Sequence, residues 1–272
     1  MEVYVLASAL KSRLQRNQLT LGPMLTFDFW PGYLEIFKAE GMNYALLDME
    51  HGSASLRTAE ELCRTARLLD LPLIIRPEAS QYHLLRKYLD MGPAGLMIPW
   101  TETQEQIETL RTAAYLPPKG RRGPGGPAIF ANRSIDRVGW DEIENALFLV
   151  VQIESPVGIA NLSSLVSRDW IDATMLGPYD LSLNLGRWAQ MDHPEVVNAI
   201  CETRSTSLQV GKPCGMVINS LDQARTWINR GFNFFICSEV TYLARLQTRA
   251  LVAGVQEAYQ KSLEAFSKAP IK

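Results

Sequence analysis

Two stretches of this chain, Phe148-Leu-Val-Val-Gln-Ile-Glu154 and Ala173-Thr-Met-Leu-Gly-Pro-Tyr-Asp180, share one plan: a short apolar run stops at a polar, turn-forming cluster. Each run is too short for a helix and too uniformly apolar for a strand with one wet face, the pattern of a strand buried on both sides of a parallel sheet. The same plan recurs at 22–27, 44–48, 72–76, 95–99, 214–218 and 233–238, so eight strands are expected, most of them followed by a helical pattern. After the second strand, Leu56, Ala59, Leu62, Cys63, Ala66 and Leu69 step by three and four as one buried helix face requires, with Ser53 or Ser55 available as the cap. Gly92 reads as the residue that closes the following helix.

Eight strand–helix repeats in 272 residues predict an α/β fold, a (β/α)8 TIM barrel occupying residues 1–272 as a single domain. Val5, Leu6, Leu10 and Leu14 suggest an N-terminal helix across the barrel floor. Residues 243–267 read as one long C-terminal helix whose apolar positions, from Leu243 to Phe266, face either another subunit or the helix's own barrel. The segment 116–127 holds four Gly and four Pro, which excludes helix and central strand and leaves a surface connection or a substrate lid.

The composition narrows the chemistry. With 27 Lys+Arg against 29 Asp+Glu and a net charge of −2, the chain lacks the basic stripe that nucleic acid or an anionic membrane would require. No apolar run approaches the ~18–20 residues of a membrane span, and the N-terminus does not read as a signal peptide, so a cytoplasmic location is expected. Cys63, Cys201, Cys214 and Cys237 have no metal or redox spacing and read as free thiols.

In a parallel barrel the site lies beyond the C-terminal ends of the strands. Polar residues gather there: Asp48, Glu50 and His51 after the second strand, Arg76 after the third, Gln152 and Glu154 at the fifth, and Gly177, Pro178, Tyr179 and Asp180 after the sixth. Glu154 and Asp180 lie one βα unit apart, which brings two hard oxygen ligands to one rim and suits Mg²⁺ or Mn²⁺, ions that keep waters and accept substrate oxygens. Asp48 is placed to hold one imidazole nitrogen of His51 and leave the other as a base. Glu50 alternates with Asp48 and reads as supporting. Arg76, after a wholly apolar run, answers an anion, either a substrate carboxylate or enolate or a neighbouring acid. The N–H groups of Tyr179 and Asp180 open a helix and can receive a substrate carboxylate.

Leu46-Leu-Asp-Met-Glu-His-Gly52, Ile74-Ile-Arg-Pro77, Gly120-Arg-Arg-Gly123, Val151-Gln-Ile-Glu-Ser-Pro-Val-Gly158 and Leu176-Gly-Pro-Tyr-Asp-Leu-Ser182 together resemble the HpcH/HpaI family of class II, metal-dependent pyruvate aldolases, in order and over most of the chain. The resemblance implies a carbon–carbon lyase that cleaves a 4-hydroxy-2-keto acid to pyruvate and an aldehyde. It also implies a homo-hexamer, a dimer of trimers exchanging long C-terminal helices. By the same resemblance Glu154 and Asp180 are the metal ligands, with Mg²⁺, Mn²⁺ or Co²⁺ as the cofactor. His51 with Asp48 is the acid–base pair, Arg76 binds the pyruvyl oxygen, Gln152 stands near the metal, and Asp90 approaches a neighbouring subunit's site. The chain departs from the family at Tyr179, in the aromatic stretch from Phe27 to Trp30, and in Ala128-Ile-Phe-Ala-Asn-Arg133. The same scaffold also carries keto-acid decarboxylases and citrate-lyase-β-like thioester lyases, the latter needing basic residues such as Lys119, Arg121 and Arg122 for a nucleotide tail. A barrel that binds a keto acid without turning it over is the remaining alternative.

Overall fold

A computed structural model describes residues 3–125 and 136–268. All eight expected strands form, and they close into one parallel barrel in sequence order. They are β1 (Thr20–Leu25), β2 (Ala45–Asp48), β3 (Leu73–Arg76), β4 (Gly95–Ile98), β5 (Phe148–Ile153), β6 (Ala173–Leu176), β7 (Cys214–Ile218) and β8 (Phe234–Glu239). Strands buried on both faces need apolar residues at consecutive positions, which is why β2 to β6 are buried along their whole length.

The inward positions alternate with the outward ones. Tyr44, Leu46, Ile74, Phe148, Val150, Met175, Phe234 and Ile236 fill the barrel, and the N-terminal helix α1 (Val3–Gln15) adds Ala7, Leu10 and Leu14 to the same cluster. This is the expected floor plug, except that Val5 faces solvent. Outward positions such as Leu47, Ile75, Leu96 and Val151 pack against the surrounding helices.

Those helices are α2 (Gly32–Ala39), α3 (Leu56–Leu68), α4 (Tyr82–Asp90), α5 (Gln104–Ala114), α6 (Arg137–Ala146), α7 (Pro156–Val166), α8 (Pro178–Asn184), α9 (Pro194–Gln209), α10 (Leu221–Asn229) and α11 (Val240–Lys268). Ser55 caps α3 by accepting the Thr58 N–H at 3.1 Å, a contribution of about 1 kcal/mol. Gly92 stands just past α4 with φ of +72°, the left-handed closing residue expected there.

Two expectations become more specific. The connection that starts at residue 116 leaves α5 at the barrel's N-terminal end. It is bound to the last turn of α5 by the Arg121 N–H donating to the Thr112 carbonyl at 2.8 Å, and it runs along α4, where the Tyr82 hydroxyl donates to the Arg121 carbonyl at 2.7 Å. The remainder, with residues 128–133, lies outside the described residues. The C-terminal helix begins at Val240, and from Gln247 to Leu263 every side chain is exposed, including Leu251, Val252, Val255, Tyr259 and Leu263. It runs clear of its own barrel.

Candidate active site

Asp48 and Arg76 are direct partners across β2 and β3, so their side chains rise together at the barrel mouth. Arg76 Nε donates to Asp48 Oδ1 at 2.8 Å and Nη2 to Oδ2 at 2.7 Å, a two-pronged grip between buried groups. Asp48 also accepts from the Thr26 hydroxyl at 3.1 Å and from the backbone N–H groups of Glu50 and His51 at 3.1 and 3.4 Å. Burial would raise the Asp48 carboxyl, but the hydrogen bonds and charge of Arg76, helped by His51 and Thr26, hold it below its ordinary value.

This occupancy corrects the expected Asp48–imidazole contact. Asp48 touches His51 only through the backbone, because its oxygens are already filled by Arg76 and Thr26. The His51 ring, 58% exposed, stands nearest to Glu50, with Nε2 at 4.0 Å from Oε2. Glu50 itself turns into the site and ion-pairs with Arg76 Nε at 3.2 Å.

A hydrogen-bonded line continues from this pair. Arg76 Nη1 reaches Gln152 Oε1 at 3.4 Å, and Gln152 Nε2 donates to Glu154 Oε2 at 2.9 Å. The other oxygen of Glu154 accepts the Trp100 N–H at 3.0 Å. Trp100 holds φ of +48°, a left-handed conformation unusual for a bulky residue, and it is this turn after β4 that aims the N–H at the carboxylate. Burial pushes Glu154 up to about 8 against the Trp100 hydrogen bond, and the charges of Glu50 and Asp180 add to the rise.

Gly177 ends β6 beneath that carboxylate. A Cβ there would lie 2.2 Å from Glu154 Oε2, so only glycine leaves room for it. Pro178 follows as the first residue of α8, buried, and Asp180 is half-buried in the same turn. In that turn the Tyr179 and Asp180 N–H groups have no carbonyl within the helix to reach. The Tyr179 hydroxyl accepts from Asn219 Nδ2 at 3.0 Å, tying β6 to β7 across the mouth.

Negative charge gathers here faster than positive. Burial raises Glu50 and Glu154, the Asp180 charge adds to both rises, and the nearby Arg76 is already committed to Asp48. A divalent cation fits this imbalance: Glu154 and Asp180 are hard oxygen donors, and the absence of a side chain at Gly177 leaves room beside the buried Glu154 carboxylate. Among the described residues no group of three or more His, Cys, Asp or Glu forms a ready-made cage, so such an ion would take its other ligands from water and substrate.

Asp90 does not join this site. It ends α4 at the opposite end of the barrel, bound to the buried Arg122 at 3.1 Å and near Arg86 at 3.7 Å. His83 is an exposed helix residue and His193 caps α9. Trp30 stands 59% exposed, its ring edge-on to Tyr33 at 5.4 Å.

A closed parallel barrel whose mouth gathers an arginine, a histidine and converging carboxylates has the build of a (β/α)8 enzyme with its site at the strands' C-terminal ends. The profile of the HpcH/HpaI aldolase/citrate lyase family matches residues 29–238, and the chain belongs to that family. It is 30% identical over 240 residues to a hydroxypyruvate/pyruvate aldolase of Delftia acidovorans, covering 84% of this chain and 85% of the relative. It is also 30% identical over 239 residues to the 2-keto-3-deoxy-L-rhamnonate aldolase of Escherichia coli K12, covering 85% and 86%. Among solved structures, an HpcH/HpaI aldolase/citrate lyase family protein from Burkholderia cenocepacia superposes with a TM-score of 0.84 at 24% identity, over 92% of this chain and 99% of that one.

Proposed function

We infer that this protein is a metal-dependent aldolase that cleaves a 4-hydroxy-2-keto acid to pyruvate, or a close relative, and an aldehyde. The observation that carries the reading is the continuous line Arg76–Gln152–Glu154, which places a fixed cation and a buried carboxylate along one edge of the mouth. Lys-based chemistry has no foothold there, since no strand ends in a lysine.

Glu154 and Asp180 would hold a divalent cation, Mg²⁺ or Mn²⁺ first and Co²⁺ next, which would supply Lewis-acid stabilisation of the negative charge that develops on the keto oxygen. A citrate lyase β subunit of similar fold is described with oxaloacetate and magnesium. Arg76 presents Nη1 to the same oxygen, because its Nε and Nη2 are occupied by Asp48. Asp48 therefore positions the guanidinium, and Gln152 fixes the Glu154 carboxylate. The N–H groups of Tyr179 and Asp180 receive the substrate carboxylate beside Gly177 and Pro178. His51 takes the proton of the C4 hydroxyl as the C3–C4 bond breaks, and the electron pair remains on the pyruvate fragment until C3 is protonated.

The exposed apolar positions of α11 support a homo-oligomer, and we read them as the surface that packs on neighbouring subunits of a hexamer arranged as a dimer of trimers. In that assembly Asp90, remote from its own mouth, is the residue offered to a neighbour's. Four free thiols support a cytoplasmic setting. Among the described residues no helix is long and apolar enough to cross a membrane.

The test is proton–deuterium exchange at the pyruvate methyl in D₂O, followed by NMR with Mg²⁺ or Mn²⁺ and again with EDTA. Exchange that needs both protein and metal supports the reading. Exchange that EDTA leaves unchanged, or none with metal bound, overturns it.

A further inference from the structure

The barrel closes with an irregular register. β8 pairs with β1 as Gly22 to Ile236 and then Met24 to Glu239, so three residues of β8 advance against two of β1. The extra residue is absorbed at Ser238, which holds φ of +62°, a strained conformation for a residue other than glycine. Bulges of this kind change which side chain faces the interior. Phe234 and Ile236 point into the barrel, and regular alternation would bring Ser238 after them. The bulge gives that place to Glu239 instead. Paired residues on parallel strands share a face, and Met24 faces the mouth, its Sδ 3.8 Å from Arg76 Nη2.

The Glu239 carboxylate is then divided between two tasks. Its Oε2 accepts the backbone N–H groups of Thr241 at 2.8 Å and Tyr242 at 3.1 Å, together with the Thr241 hydroxyl, and so caps α11. Its Oε1 is buried with no hydrogen-bond partner, on a residue only 8% exposed. The Ser238 hydroxyl beside it is likewise buried and unpartnered. A fixed, buried carboxylate oxygen without a donor is costly in a folded chain unless a ligand supplies the donor. Nothing on the β1 side does so: the Tyr33 hydroxyl is already given to Asp28 at 3.0 Å.

We propose that Glu239 is a specificity residue for the aldehyde half of the substrate, its Oε1 accepting a hydrogen bond from a hydroxyl of an uncharged hydroxyaldehyde. The proposal rests on the aldolase reading. An acceptor-only group at this point rewards a donor on the incoming fragment and repels a second carboxylate. The Tyr179 hydroxyl and Asn219, on the neighbouring strand ends, are neutral and offer further hydrogen bonds without reversing that preference.

The experiment compares the full-length wild type with Glu239→Gln and Glu239→Asp in the addition direction. Pyruvate is saturating, and the acceptors are glycolaldehyde, its deoxy counterpart acetaldehyde, and succinic semialdehyde as the anionic acceptor. Glu239→Asp withdraws Oε1 by one methylene and narrows the glycolaldehyde-to-acetaldehyde ratio of kcat/KM by at least about tenfold, the loss of one charge-assisted hydrogen bond. Glu239→Gln removes the charge and raises succinic semialdehyde relative to glycolaldehyde by a similar factor. Each ratio is taken within one preparation, so a partly folded variant does not distort it, and a purely structural cap would leave both ratios unmoved. Pyruvate methyl exchange, which needs no aldehyde, is measured alongside. Its absence in the wild type overturns the aldolase reading and this proposal with it, whereas exchange with unchanged ratios overturns the Glu239 assignment alone.

Discussion

Arg76 grips Asp48 through two parallel hydrogen bonds of 2.8 and 2.7 Å, and that pair anchors the catalytic mouth. The aspartate is wholly buried, so its charge depends on the arginine for compensation. Replacing Arg76 with Met leaves that charge unpaired and is expected to destabilise the fold by about 3–5 kcal/mol, read from urea unfolding. Arg76→Lys keeps a charge but not the planar fork, and lowers kcat/KM for the keto acid by at least about tenfold.

The same pair sets an acid limit on stability. Because Arg76 holds the folded Asp48 carboxyl below its ordinary value, the contribution is complete above about pH 4 and is lost as pH falls through the depressed folded value. Thermal midpoints between pH 2 and 6 should fall on the acid side in the wild type. Asp48→Asn should flatten that decline, and parallel curves for the two proteins would count against the assignment.

Gly177→Ala inserts a methyl where 2.2 Å separates its ideal position from Glu154 Oε2. The carboxylate must move, so Mn²⁺ affinity by calorimetry should drop about 10–100-fold while circular dichroism shows an intact barrel. Unchanged affinity would remove Glu154 from the metal.

His51→Ala is expected to slow cleavage of a 4-hydroxy-2-keto acid by about 10²–10⁴-fold, with a smaller effect on pyruvate methyl exchange, since the imidazole serves the aldehyde-end hydroxyl. Glu154→Gln and Asp180→Asn should abolish both reactions. Equal losses in both reactions for His51→Ala would move the histidine to the enolisation step.

Leu251→Glu with Val255→Glu places charge on an exposed apolar face of α11. Sedimentation velocity should show a smaller particle than the wild type, with helix content retained. An unchanged mass would mean that subunits meet elsewhere.

Much of the barrel was legible because parallel strands are apolar on both faces, a signal that survives without any tertiary context. The polar ends of β2, β3, β5 and β6 were legible for the same reason: Asp48, Arg76, Glu154 and Asp180 each interrupt or follow such a run. Their pairing was harder to read. Spacing placed Asp48 beside His51, but the register of β2 against β3 gives it to Arg76, and the supporting place read for Glu50 is an ion pair with that same arginine. Glu239 escaped notice because one inserted residue shifts which side chain faces inward, and a bulge leaves no periodic mark. Trp100 was hidden differently, since nothing in its side chain announces a left-handed backbone.

The Gly- and Pro-rich connection starts where α5 ends, at the end of the barrel away from the reacting groups, and the Gly120 N–H is still turned back onto the Leu116 carbonyl there. Cutting the backbone between Lys119 and Gly120 would sever the chain yet leave Asp48 and Arg76 on their strands, Glu154 directly after β5 and Asp180 in α8. New termini, inserted tags or grafted binding segments therefore belong on the floor, where they can be exchanged without displacing the atoms that do the chemistry.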